Sequence, residues 1–129
     1  MSLEQKILLV EDDPAAVRIA LHAFAKSGLG EERIVVARDG REALRRLSQG
    51  TPRMVLLDLK LPRVGGLEVL ECIRQEEHTR DIPVIVLTNS DDDQDVVRSY
   101  DLGANSYLRK PVDFHKLVAL LKQLGMVPA

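Results

Sequence analysis

MVLLDLKLPRVGG, Met54 to Gly66, is the stretch that decides the fold. Met54, Val55, Leu56 and Leu57 run on without polar alternation, the pattern of a strand covered on both faces, as in a parallel sheet packed between helices. Asp58 ends the run, and Pro62, Gly65 and Gly66 turn the backbone away behind it. A buried strand thereby delivers one carboxylate to a sheet edge. In open α/β sheets ligands bind in the crevice beyond the carboxyl ends of the strands, so an acid placed there is a candidate for chemistry rather than packing.

The same design recurs on both sides. Ile7 to Val10 is a second short apolar run, followed by Glu11, Asp12, Asp13 and Pro14. Asp13 and Pro14 read as N-cap and first residue of a helix, with Val17, Ala20, Leu21 and Phe24 on its apolar face as far as Gly28. Glu11 and Asp12 precede that cap and are free to point into the crevice. Ile34 to Ala37 is a third run, and Asp39 with Glu42 forms a capping-box-like start to a helix carrying Ala43, Leu44 and Leu47 and stopping near Gly50. After the central strand, Leu67, Leu70 and Ile73 mark a helix, and His78 falls in a polar stretch read as a solvated loop.

Val84 to Leu87 is the fourth run and brings Thr88 to a strand end. Ser90 reads as the cap of the next helix, whose first-turn acids offset the macrodipole and which passes Val96, Val97 and Tyr100 to end at Gly103. The acids from Asp91 to Asp95 are no calcium loop, because Val96 stands where glycine is needed and Leu102 where a bidentate glutamate is needed. Ser106, Tyr107 and Leu108 form a last strand leading to Arg109, Lys110 and Pro111, and Phe114, Leu117, Val118, Leu121 and Leu124 follow helical spacing to Gly125. Five alternations of strand and helix predict one α/β domain: a five-stranded parallel sheet, right-handed crossovers and helices on both faces.

Composition narrows the function. Hydrophobic residues make up 45% and charged residues 29%, with a formal net charge of −2, which argues for protein partners over a nucleic-acid surface. The one cysteine, Cys72, excludes an intramolecular disulfide and a multi-cysteine zinc site and is read as a small apolar helix residue. His22 and His115 fall on helices without a ligand partner at suitable spacing and are read as structural. No basic-then-apolar leader opens the chain and no apolar run of about eighteen residues occurs, so no membrane partner and a cytoplasmic location are expected.

Glu11, Asp12, Asp58, Thr88 and Lys110 should then meet at one sheet edge. Two unit charges about 4 Å apart repel by about 4 kcal/mol at an effective dielectric of about 20, so three carboxylates there need protons or a cation. Hard oxygen donors without histidine or cysteine favour Mg²⁺ or Mn²⁺ and a phosphate oxygen beside the metal. The site therefore reads as phosphoryl chemistry, with Asp58 as nucleophile and Lys110 and Thr88 holding phosphoryl oxygens.

From about Lys6 to Leu124 the sequence resembles the receiver domain of two-component response regulators, which have a (βα)5 flavodoxin-like fold. Glu11 and Asp12 are similar to the family's acid pair, Asp58 to its phosphoacceptor, Thr88 to its hydroxyl, Tyr107 to its switch aromatic, and Lys110 with Pro111 to its lysine and cis-proline. The resemblance implies a metal held by Asp12, Asp58 and the backbone carbonyl of Lys60, with Glu11 acting through water. It implies phosphoryl transfer from a sensor histidine kinase and a phosphoprotein that catalyses its own phosphorylation and dephosphorylation, not an enzyme with a separate substrate. The segment from DLKLP to LTNS resembles stand-alone regulators paired with phytochrome-type kinases, although Asn89 stands where most receivers carry a small residue. A single receiver domain over residues 1–129 with no output domain is expected, signalling by protein contact, with a homodimer through the fourth helix, fifth strand and fifth helix as one form of it. Two rivals remain: a receiver-like docking module that is never phosphorylated, and a phosphatase of the haloacid-dehalogenase type, in which Lys60 occupies the place of the second aspartate.

Overall fold

The computed structural model describes residues 3–89, 93–110 and 112–125. Five strands, β1 (Ile7–Val10), β2 (Ile34–Ala37), β3 (Met54–Asp58), β4 (Val84–Thr88) and β5 (Ser106–Arg109), alternate with five helices, α1 (Pro14–Lys26), α2 (Gly40–Leu47), α3 (Gly66–Gln75), α4 (Asp93–Asp101) and α5 (Phe114–Gln123). The strands form one parallel sheet in the order β2-β1-β3-β4-β5. The order reverses at β1 and β3, so the carboxyl ends of these two central strands flank the crevice where such sheets bind ligands.

The unbroken apolar runs have a direct cause. Leu8, Val10, Val55, Leu57, Val84 and Val86 pack in one core with α2 and α3, while Ile7, Leu9, Met54, Leu56, Ile85 and Leu87 pack in a second core with α1 and α5. Successive side chains point to opposite faces, and both faces are covered, so neither parity can be polar. The polar residues appear where the strands leave that cover: Asp58 ends β3 and Thr88 ends β4, both still buried.

The helix starts follow from local chemistry. The Asp13 carboxylate accepts from Ala15 N at 3.0 Å and Pro14 opens α1, while the Asp39 carboxylate accepts from Glu42 N at 2.7 Å to start α2. Asp113, not singled out from sequence, caps α5 by accepting from the backbone N–H of His115 at 2.9 Å. Gly28, Gly103 and Gly125 take positive φ just beyond the ends of their helices, a conformation that costs glycine least. The proposed Ser90 cap and the Lys110–Pro111 bond, expected to be cis, lie outside the described residues.

Three readings are revised. His78 is exposed but not merely solvated: its Nε2 lies 2.8 Å from the carbonyl oxygen of Leu47, and its own carbonyl accepts from the Thr51 hydroxyl at 3.0 Å, tying the end of α3 to the end of α2. On α4, Val97 is 59% and Tyr100 49% exposed while Val96 is half-buried and Ser99 fully buried, so two of the three apolar residues that mark the helix face outward. The core also begins before Lys6, since Leu3 is buried against the α2–α3 side.

Candidate functional site

Backbone pairing brings the polar residues together. Glu11 continues β1 by one residue, its N–H donating to Ala37 O at 3.0 Å, and Lys110 continues β5 through its N–H to Thr88 O at 2.8 Å. Glu11, Asp58 and Lys110 therefore reach the same edge from three strands. Glu11 is 3% and Asp58 5% exposed, whereas Asp12 is exposed at the mouth. Carboxylate oxygens of Glu11, Asp12 and Asp58 all lie within 4.8 Å of one another.

Lys110 supplies the positive charge inside. Its ammonium donates to Glu11 Oε1 and, at 3.3 Å, to Asp58 Oδ2. Burial pushes the Glu11 carboxyl above its ordinary range; hydrogen bonding to Lys110 pulls it back, and the neighbouring Asp58 raises it further. Burial works against the Lys110 ammonium, but Glu11 and Asp58 more than offset it and hold the ammonium above the ordinary lysine range. The opposite oxygen of Asp58, Oδ1, accepts from Lys60 N at 3.1 Å, so the carboxylate is gripped on both sides.

The loop beyond β3 is fixed by close backbone approaches. Gly66 N donates to Leu59 O at 3.1 Å, and a Cβ on Gly66 would overlap the Asp58 carbonyl and the Leu59 Cα. A Cβ on Gly40 would likewise overlap the Val64 carbonyl. Arg63, at φ 67°, is a non-glycine residue in the left-handed region, and its guanidinium Nε donates to Asp39 Oδ2 at 3.0 Å. The side chain of Lys60 turns away to Asp95, 3.6 Å distant, and is 66% exposed, which leaves no acid at the position a haloacid-dehalogenase-type phosphatase would use.

Thr88 is fully buried on the side of the sheet that faces α3, and Tyr107, half-buried on neighbouring β5, packs against the same core. Tyr107 and Tyr100 line a hollow of about 410 Å³ with Val96 and Lys116. Leu120 joins Tyr100 and Tyr107 on an adjoining hollow, and Lys122 lies on the other side of α5 toward α1. A feature missed from sequence is the apolar hollow beside Glu11 and Lys110, formed by Ala16, Ile19 and Val112. Its sequence signal is Ile19, a large residue off the apolar stripe of α1 and 56% exposed.

An all-oxygen cluster of three carboxylates beside one ammonium fits a hard divalent cation. A parallel (βα)5 sheet with an acid cluster at the carboxyl ends of β1 and β3 and a lysine after β5 is the arrangement expected from the resemblance to phosphoacceptor receiver domains. Residues 7–122 match the response regulator receiver domain family, and the chain belongs to it. Among curated proteins it is 46% identical over 124 residues to "Probable methanogenesis regulatory protein FilR2" of Methanothrix harundinacea, covering 92% of this chain and 79% of that protein. It is 37% identical to response regulator Rcp1 of Synechocystis, covering 90% and 83%. The chain spans only 48% of another relative, the Synechocystis transcriptional regulator RpaA, at 34% identity and 92% cover of this chain. Among solved structures, the bacteriophytochrome response regulator AtBRR superposes with a TM-score of 0.80 at 46% identity, covering 98% of this chain and 96% of that one. The Mn²⁺-bound form of Rcp1 gives 0.82 at 34%, covering 97% and 99%.

Proposed function

We propose that Asp58 is the phosphoacceptor of this receiver and that a sensor histidine kinase, phytochrome-linked as the bacteriophytochrome regulators suggest, is the donor. An Asp58 oxygen bonds to phosphorus as the N–P bond of a phosphohistidine breaks, and the electron pair leaves with the imidazole. Asp12, Asp58 and the Lys60 carbonyl, with Glu11 through water, would hold Mg²⁺ or Mn²⁺. Bound there, the cation neutralises negative charge on the phosphoryl oxygens. Lys110 leaves its two carboxylate partners to hold a phosphoryl oxygen, and the Thr88 hydroxyl takes another. The same groups serve hydrolysis of the aspartyl phosphate, so the protein catalyses both its own phosphorylation and its own dephosphorylation.

The observation that carries this reading is the Asp58 carboxylate, buried at a strand end and held between Lys110 Nζ and Lys60 N. Thr88 and Tyr107 on adjacent strands support a switch in which the hydroxyl moves toward the phosphoryl group and the ring turns inward, re-forming the face of α4, β5 and α5. Output by protein contact, including a homodimer through that face, is the reading that Tyr100, Tyr107 and Leu120 meeting there supports. No helix of the described residues is long and apolar enough to cross a membrane, and the reading places this single receiver unit in the cytoplasm. Incubation with acetyl phosphate and Mg²⁺ should give one phosphoryl adduct by intact mass, and Asp58→Asn none. Labelling of the variant at the parent rate overturns the assignment, as does the absence of any adduct on the parent.

A further inference from the structure

The two helices that cover one side of the sheet carry no carboxylate. The chain has 20 acidic residues, yet none lies between Pro14 and Gly30 or from Phe114 onward. Along α1 stand Arg18, His22 and Lys26, and along α5 His115, Lys116 and Lys122, all exposed. None of these arginine and lysine side chains makes an ion pair among the described residues. His22 and Lys26 meet His115 and Lys122 across a groove of about 510 Å³, with Ala23 and Ala119 in its lining.

Helix electrostatics explains only part of this. Lys26 and Lys122 sit in the last turns of their helices, where cations offset the macrodipole. Nothing in that argument removes acids from the rest of both helices. The described part of α4 mixes signs, with Asp95, Arg98 and Asp101, and α2 sets Glu42 against Arg45 and Arg46. Lys116 has the capping Asp113 three residues before it, but Arg18, Lys26 and Lys122 have no carboxylate three or four residues away, and such a one-sign face costs self-repulsion and attracts anions in a chain whose net charge is −2.

We propose that the α1–α5 groove docks an acidic segment of a partner protein. Lys26 and Lys122 face carboxylates across the groove, and the small side chains of Ala23 and Ala119 let a peptide backbone come close. A DNA surface fits poorly, because proteins that bind through phosphates neutralise roughly 6–10 of them and this face offers few unit cations. A lipid surface fits poorly too, since the groove presents alanines and one valine where a membrane face needs large apolar and aromatic residues. Charge complementarity of this kind sets partner choice and association rate more than raw affinity.

The test is fluorescence anisotropy of a labelled Glu/Ala peptide with the full chain, beside a Lys/Ala peptide, phosphatidylserine vesicles and duplex DNA. The acidic peptide should bind and weaken with added salt, and its amide shift changes should map to Ala23 and Ala119. Lys26→Glu/Lys122→Glu should weaken it by about tenfold or more and Lys26→Gln/Lys122→Gln by less. Both variants should keep the parent's circular dichroism and its rate of labelling by acetyl phosphate, since neither lysine touches the acid cluster. The proposal fails if the acidic peptide does not bind, if the Glu variant binds it equally, or if vesicles or DNA bind this face more tightly than the peptide.

Discussion

Glu11 and Asp58 share one ammonium, and that sharing sets how the pocket answers to pH. A metal ion held by this cluster would need it deprotonated, so a proton on Glu11 would compete with it. Because burial and Asp58 raise the Glu11 carboxyl above its ordinary 4.5, apparent Mg²⁺ affinity should begin to fall, as pH is lowered, before an ordinary glutamate would protonate. In Glu11→Gln that early fall should disappear and leave only a later loss at more acid pH; Mg²⁺ titrations across a pH series would show it, and identical profiles would contradict it. Gly66 acts on the backbone of the same site. In Gly66→Ala the new methyl group must displace the Asp58 carbonyl or the Leu59 Cα, a cost of about 1–3 kcal/mol for overpacking. Labelling by acetyl phosphate should slow by about tenfold or more, since small misplacements of a reacting group are expensive. A variant with parent stability and parent rate would show that the loop yields freely.

Between elements, Arg74 does what no sequence pattern announced. Its guanidinium donates from Nε and Nη2 to Gly103 O at 3.0 and 2.7 Å, from Nη1 to Ile82 O at 2.6 Å and Arg80 O at 3.0 Å, and from Nη2 to Asn105 Oδ1 at 3.0 Å. Asn105 Oδ1 accepts in turn from Val84 N, so one side chain of α3 braces the start of β4 and the turn from α4 into β5. Burial lowers the Arg74 guanidinium from its ordinary range, yet it stays charged and each of these bonds is charge-assisted. Arg74→Met should cost about 2–3 kcal/mol, read as a lower urea midpoint at unchanged slope. Lys should not restore it, because a single ammonium cannot span carbonyls that lie in different directions. A midpoint equal to the parent's in Arg74→Lys would remove the bracing argument. The strands and the caps Asp13 and Asp39 were legible in advance because continuous apolar runs and Asp-Pro or Asp-x-x-Glu starts are local signals. Arg74, His78 and the Lys110 pairing with Glu11 were not, because each depends on chain segments that only the fold brings together. The exposure of Val97 and Tyr100 misleads for a related reason: helical spacing marks a stripe, but only the neighbouring elements decide which stripe is covered.

The molecule as a whole gathers like charges at one edge of its sheet and holds them with one lysine, an arrangement whose stability should depend on metal. A ligand that binds only the folded chain stabilises it by RT ln(1 + [L]/Kd), about 2.7 kcal/mol at a hundredfold excess over Kd. For a domain of this size that corresponds to a rise in Tm of roughly 10 °C. Asp12 is the exposed member of the cluster and its carboxylate makes no hydrogen bond or ion pair among the described residues, so it separates the two contributions. Asp12→Asn removes one negative charge from the repelling group while leaving the Lys110 pairs in place. Without metal the variant should melt at or slightly above the parent's Tm, and with saturating Mg²⁺ it should gain far less than the parent does. The two curves would therefore cross: the parent less stable in chelator and more stable in Mg²⁺. Thermal melts of both proteins in chelator and in a Mg²⁺ series give the four temperatures needed. If Mg²⁺ raises both by the same amount, the ion is held elsewhere and the cluster of Glu11, Asp12 and Asp58 is not its site.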